Sequence, residues 1–280
     1  MNRIILGVSV LSCLLLGGCD TGTYQRLNCI CLIDYSGSLS EQTLHRYVQI
    51  ISSDVLRRLG EKDRLVVIPI DEGAKTKAVK LVYDDRAERK FRYYTDGYAH
   101  AADSLALRLR EYADTLGRGI ESELLRQKVL REKYTYFSDI FSALEQSAAL
   151  VERNQPESFL EGLKRFIAGK KKLVSTNVII LFSDMIQESS ECSFAGPKGC
   201  TPEQARDVLD KLRAWNRIPD LHGSLVFVNG RTGADNEQLE NIQNFWTQYF
   251  RESGATLEAY DYDSGPQITT FLYQRLLASR

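Results

Sequence analysis

Two places in the 280-residue chain gather hard oxygen donors directly after an apolar run. The first is Asp34-Tyr35-Ser36-Gly37-Ser38, which follows the apolar residues 29–33. The second is Ser183-Asp184, which follows residues 178–182. Asp34, Ser36 and Ser38 are alternate residues of one short loop, so three oxygens can face one point. Carboxylate and hydroxyl donors suit Mg²⁺, with Mn²⁺ or Ca²⁺ as alternatives, rather than zinc. A short Asp/Ser run is by itself ordinary turn chemistry. Its position, closing an apolar strand and preceding a helix, carries the argument. His45, His100 and His222 are dispersed, and no His-x-x-x-His or Cys-x-x-Cys spacing suggests zinc.

The elements that must position these donors follow from periodicity. Buried strands are expected at residues 29–33, 64–70, 178–182, 223–229 and 256–262, with a weaker one at 79–83. Helices are expected at 41–59 with Ser40 as N-cap, at 139–151, at 202–215 with Thr201 as N-cap and proline first, at 236–251, and at 266–277. Strands alternating with helices predict an α/β fold: a doubly wound, mostly parallel sheet. Continuous apolar strands fit that, because such strands are covered on both faces. Ligands in these folds sit beyond the carboxyl ends of the strands, where both donor groups fall. Residues 84–134 are highly charged and look like a helical insertion. Leu105, Leu109, Tyr112, Leu116, Ile120 and Leu124 make one stripe, with a break expected at Gly117 and Gly119. The stripe packs on the domain or forms an arm for a partner.

The sequence Ile30-Cys31-Leu32-Ile33-Asp34-Tyr35-Ser36-Gly37-Ser38, followed by Ser138-Asp139-Ile140-Phe141-Ser142-Ala143-Leu144 and by Leu181-Phe182-Ser183-Asp184, resembles the von Willebrand factor A (vWA) family and its metal-ion-dependent adhesion site. The resemblance covers residue 28 to the C-terminus. It implies a Rossmann-like vWA fold and a divalent ion held by Asp34, Ser36, Ser38, Ser138 and Asp184. The hydroxyls would be direct ligands, and the two aspartates would supply charge, often through water. A coordination position would remain for a carboxylate brought by a protein partner. The family commonly has threonine where this chain has Ser138; the hydroxyl is kept, and the methyl that helps fix its rotamer is not. Thr135 is the alternative donor. Asp139 reads as a charge complementing the helix dipole.

The N-terminus carries a different message. Arg3 precedes an apolar run at 4–16, too short for a permanent span and typical of a secretory signal. Leu16-Gly17-Gly18-Cys19 resembles the lipobox of bacterial lipoproteins. That resemblance implies a signal at 1–18, lipid on Cys19, a tether at 19–27 and a vWA domain at 28–280. Asp20 after the cysteine implies retention at the periplasmic face of the inner membrane in enteric-type envelopes. In such a compartment Cys192 and Cys200, flanking a loop with Gly196, Pro197 and Gly199, can pair as a disulfide contributing ~2–3 kcal/mol. Cys29 and Cys31 share one strand face and read as small buried hydrophobes.

A formal net charge of −1 argues against a nucleic-acid binder that works through a basic field. Lys164-Arg165 and Lys170-Lys171-Lys172 read as a solvated loop, with contact to anionic lipid as the alternative. Asp71-Glu72-Gly73 reads as a turn, or as a border of the site. The expected function is therefore a binding module, not an enzyme: an envelope lipoprotein engaging a protein partner in adhesion, assembly or scaffolding. The alternatives are a phosphoryl-handling hydrolase using Asp34 as nucleophile, for which Ser36 stands where a second acid is usual, and a structural vWA domain with an inactive metal site. Walker, Gly-x-Ser-x-Gly and dinucleotide motifs are absent from the sequence.

Overall fold

The computed structural model describes residues 23–37, 39–59, 63–71, 83–84, 101–131, 137–154, 158–168, 172–189, 191–230 and 235–278. The expected signal (residues 1–18), Cys19, Asp20, Ser38, Glu72, Gly73, His100, Thr135, Lys170 and Lys171 lie outside them. By backbone contacts the chain forms two compact units, the larger being Arg26–Arg153 with Ser175–Arg280.

The larger unit is an α/β Rossmann-like arrangement. The strands are β1 (Thr23–Asp34, in the larger unit from Arg26), β2 (Arg64–Ile70), β3 (Tyr83–Asp84), β4 (Lys172–Phe182, in the larger unit from Ser175), β5 (Leu225–Asn229) and β6 (Thr256–Asp261). They lie in the order β3-β2-β1-β4-β5-β6. Five are parallel, and the two-residue β3 pairs antiparallel with β2. The order reverses between β1 and β4, which makes their carboxyl ends the switch point of the sheet.

Helices cover both faces. They are α1 (Glu41–Gln49), α2 (Ala101–Arg131), α3 (Ile140–Ala148), α5 (Pro202–Ala214), α6 (Asn236–Glu252) and α7 (Gly265–Ala278), while α4 (Phe159–Ile167) belongs to the smaller unit, Met1–Gln25 with Asn154–Val174. Alternate strand residues divide the core in two. Ile30, Leu32, Ile68, Ile179, Leu181 and Val228 meet α3, α5 and α6 through Phe141, Leu209, Phe245, Trp246 and Tyr249. Cys29, Cys31, Ile33, Val67, Ile180 and Phe182 meet α1, α2 and α7 through Tyr47, Val48, Ile120, Leu124 and Ile268. The period of two in each strand thus becomes two apolar layers. Cys29 and Cys31 are buried on one face, with their sulfurs 3.9 Å apart.

Several elements depart from expectation. β1 starts at Thr23, inside the stretch read as a tether, because Leu27 is fully buried and its N–H donates to Asp63 Oδ1 at 2.6 Å. The helix expected over 41–59 passes from α1 into a π-helical segment, Ile50–Val55, and a 3₁₀ turn, Leu56–Arg58. α2 runs through Gly117 and Gly119 without a break. A Cβ on Gly117 would sit 3.0 Å from the Ser52 carbonyl oxygen in the π segment. Glycine there lets two helices approach closely, and the packing outweighs its poor helix propensity. Leu116, Ile120 and Leu124 pack into the core as the stripe predicts, while the side chains of Leu105, Leu109 and Tyr112 are outside those described.

Cys192 and Cys200 are free thiols, not the disulfide that the spacing suggests. Their loop is closed by other means. Glu188 bridges to Ser193, Phe194 N donates to Gln187 O at 2.8 Å, and the Phe194 ring meets Phe245 edge-on at 4.7 Å. Burial pushes both thiols up to about 12.

The two glycines of α2 give a paired test. Gly117→Val is expected to destabilise by about 1–3 kcal/mol through overpacking against the Ser52 carbonyl. Gly119→Ala, which meets nothing within 4 Å, is expected to stabilise by up to about 1 kcal/mol. Urea unfolding midpoints of both variants check this; equal effects would mean that α2 does not pack at Gly117.

Candidate metal centre

Asp34 ends β1 at the switch point, and its side chain is buried. Three segments converge on its carboxylate. Ser36 N donates to Oδ1 at 2.7 Å. Ser138 Oγ, two residues before α3, lies 3.2 Å from Oδ1 and 3.1 Å from Oδ2. Ser183 Oγ, just after β4, donates to Oδ2 at 3.1 Å. The Ser36 hydroxyl also bonds the carboxylate. A serine that gives its proton to Asp34 turns its lone pairs elsewhere, which is the state in which a hydroxyl can bind a cation.

Asp184 follows Ser183 and is held by Ile186 N, which donates to its Oδ1 at 2.9 Å. Burial pushes its carboxyl up to about 7, the nearby charges of Asp34 and Glu188 add to this, and the bond from Ile186 opposes it. Burial likewise raises Asp34, against the bonds it accepts from Ser36, Ser183 and Ser138. The structure thus brings together Asp34, Ser36, Ser138 and Asp184 of the expected set. Ser38 and Thr135 lie outside the described residues. Asp71, next after the β2 residue paired with Asp34, is buried at the same sheet edge.

The donor set fits a hard divalent ion. Among the described residues no group of three or more His, Cys, Asp or Glu side chains could hold a metal. Here the donors are two carboxylates and neutral hydroxyls, a set that suits Mg²⁺ chemistry and offers nothing soft for zinc.

The supports of this site were not apparent in its motif. Gln187 is fully buried and joins two segments. Its Oε1 accepts from Ile140 N at 2.7 Å and Phe141 N at 3.3 Å, and its Nε2 donates to Asp139 Oδ1 at 3.2 Å. Glu188 N adds a bond to Ser138 O at 3.0 Å. Asp139 caps α3, accepting from Ser142 N at 3.2 Å. Met185 has φ 66, a left-handed backbone uncommon for a non-glycine residue. Met185 N bonds Ser183 Oγ at 3.0 Å, and its carbonyl accepts from Trp246 Nε1 at 2.9 Å, which together hold that turn. From α1, Tyr47 packs on Phe182 at 5.2 Å, and burial, Asp34 and Asp184 raise its phenol. Gly230 has φ +122, and a Cβ there would lie 1.9 Å from the Tyr47 hydroxyl. Only glycine allows that approach. Tyr47 also lines a cleft of about 480 Å³ with Ser40, Thr43, Arg46 and Tyr262.

Comparison with protein-family profiles gives no match, and comparison with curated proteins gives none either.

The raised carboxyl of Asp184 has a direct consequence in chelator. Its folded value of about 7 exceeds the ordinary ~3.9 of an unfolded chain. Between these the folded protein keeps a proton that the unfolded chain has released, so stability falls as pH rises from about 4 to 7 and levels off above. Thermal midpoints in EDTA are expected to follow that course, and Asp184→Asn is expected to flatten it. A wild-type midpoint that rises with pH across the window would contradict the assignment.

Proposed function

We propose that the chain is a lipid-anchored envelope protein whose vWA-type domain presents a divalent cation, Mg²⁺ by donor chemistry, to an acidic side chain of a protein partner. The convergence of Ser36, Ser138 and Ser183 on the Asp34 carboxylate carries the proposal. Asp34, Ser36, Ser38, Ser138 and Asp184 would hold the ion. Ser183 would act one shell out, orienting Asp34 and the Met185 turn. With neutral hydroxyls as direct ligands and the aspartates acting through water, the ion would keep enough positive charge to draw a partner's carboxylate into its open position. Phe137, exposed beside Ser138, gives the rim an apolar contact. The anchor belongs to the proposal through the lipobox-like Leu16-Gly17-Gly18-Cys19. Among the described residues no helix is long and apolar enough to cross a membrane. The place proposed is the periplasmic face of the inner membrane.

A binding role is favoured over phosphoryl transfer by the state of Asp34. Both its oxygens accept hydrogen bonds, and its side chain is buried. A nucleophile must reach its substrate directly through one of these oxygens, whereas Asp34 could serve a bound ion through water, and Ser36 stands where such a nucleophile usually has a second acid.

Calorimetric titration of Mg²⁺ into the full-length chain in detergent is expected to give one saturable site. Asp34→Asn and Asp184→Asn should abolish it with unchanged circular dichroism, and Ser183→Ala should weaken it roughly 10–100-fold. No binding by a folded wild type would end the metal-dependent reading. Cross-linking pull-down from membranes is expected to recover a partner that Asp184→Ala loses. Phosphate-ester hydrolysis that vanishes in Asp34→Ala would favour the enzyme instead.

A further inference from the structure

The helix α4 (Phe159–Ile167) falls in a stretch read from sequence as a solvated loop. Its start is a capping box: Glu161 N donates to Ser158 Oγ at 3.3 Å, and Ser158 N donates to Glu161 Oε2 at 3.2 Å. Phe159, Leu160, Leu163 and Ile167 fall within about 100° of helical arc. They are 83%, 66%, 45% and 76% exposed. Leu173, opening β4, is exposed as well. Contiguous exposed apolar side chains of this size mark a surface that something covers.

We infer that α4 lies in the headgroup region of an anionic membrane, with its apolar stripe toward the acyl chains. Two observations select this occupant. The segment 154–174 carries five cations (Lys164, Arg165, Lys170, Lys171, Lys172) against two carboxylates, whereas the whole chain has a net charge of −1. A short helix with apolar and basic faces is the pattern of an in-plane membrane helix, and cations near such a surface are drawn to anionic headgroups. Second, Thr23–Gln25 belong to the same compact unit as α4, and they directly follow the N-terminal segment with its apolar run at 4–16 and Cys19. The chain's longest apolar run therefore leads into the unit that carries the helix. The inference goes beyond the metal-site reading and does not depend on it.

The test uses the full chain carrying Trp215→Phe, since Trp215 is exposed, while Trp246 is fully buried and serves as an internal reference. Tryptophan is placed at Leu163 or Ile167, on the stripe, or at Glu161, off it. Vesicles with brominated acyl chains are added, either of phosphatidylcholine alone or with phosphatidylglycerol. Emission from Leu163→Trp and Ile167→Trp is expected to be quenched, more strongly with phosphatidylglycerol, and Glu161→Trp is expected to be spared. Lys164→Glu with Lys172→Glu should reduce the quenching, and Cys19→Ser should leave it in place, which separates the helix from the anchor. Absent quenching at 163 and 167, or equal quenching at 161, overturns the inference. So does a blue shift without vesicles that grows with protein concentration, which would assign the stripe to a second copy.

Discussion

A carboxylate buried at the end of a central strand is the constraint around which this fold is arranged. Asp34 sits where β1 and β4 diverge, and desolvation there disfavours its charge. Water cannot compensate a group so deeply buried, so the protein must. It does so with hydrogen bonds from the loop after β1, from the start of α3 and from the end of β4. Those donors fix how three separate segments meet. Once they meet, Asp184 is buried near Asp34, and its carboxyl rises through that burial first and through Asp34's charge second. Two carboxylates that disfavour each other, among hydroxyls with spare lone pairs, form an electrostatic arrangement that a divalent cation relieves.

Much of that arrangement is a property of local sequence. Asp34 and Ser36 are two residues apart on a loop whose place follows from an apolar strand. Asp184 follows another apolar strand. The doubly wound sheet was legible for the same reason, since continuous apolar strands alternating with helices have few other solutions. Ser138 needed the family resemblance, because a lone serine before a helix reads only as a cap.

The parts that sequence did not disclose are those set by tertiary contact. Gln187 resembles any loop glutamine, yet it is fully buried and caps the first turn of α3. Tyr47 looks like one apolar position of α1; its approach to the site depends on Gly230, far away in the chain. Gly117 and Gly119 carry the same local signal, and only the first faces a neighbouring carbonyl. Local propensity disfavours both in a helix, but packing decides the outcome. The Ser158/Glu161 capping box was a readable local signal for α4. It was obscured because the apolar positions that follow have no core partners to make them look like a folded element.

The supports also explain how Ser138 can serve where the vWA family, which the motif resembles, commonly has threonine. A threonine methyl restricts the side-chain rotamer, and a serine must be restrained from outside. Here the backbone around Ser138 is held on both sides. Glu188 N bonds its carbonyl, and Gln187 ties the following residues, Ile140 and Phe141, to the loop after β4. Its hydroxyl has the Asp34 carboxylate within 3.2 Å of both oxygens. The orientation that a methyl would favour is imposed instead by an acceptor and a braced backbone. The same bracing links the position of Ser138 to that of Asp184, because Gln187 and Glu188 lie just beyond it on one loop. A shift of that loop would therefore move a hydroxyl and a carboxylate together, which is the coupling that the proposed cation site would need to keep two donors in register.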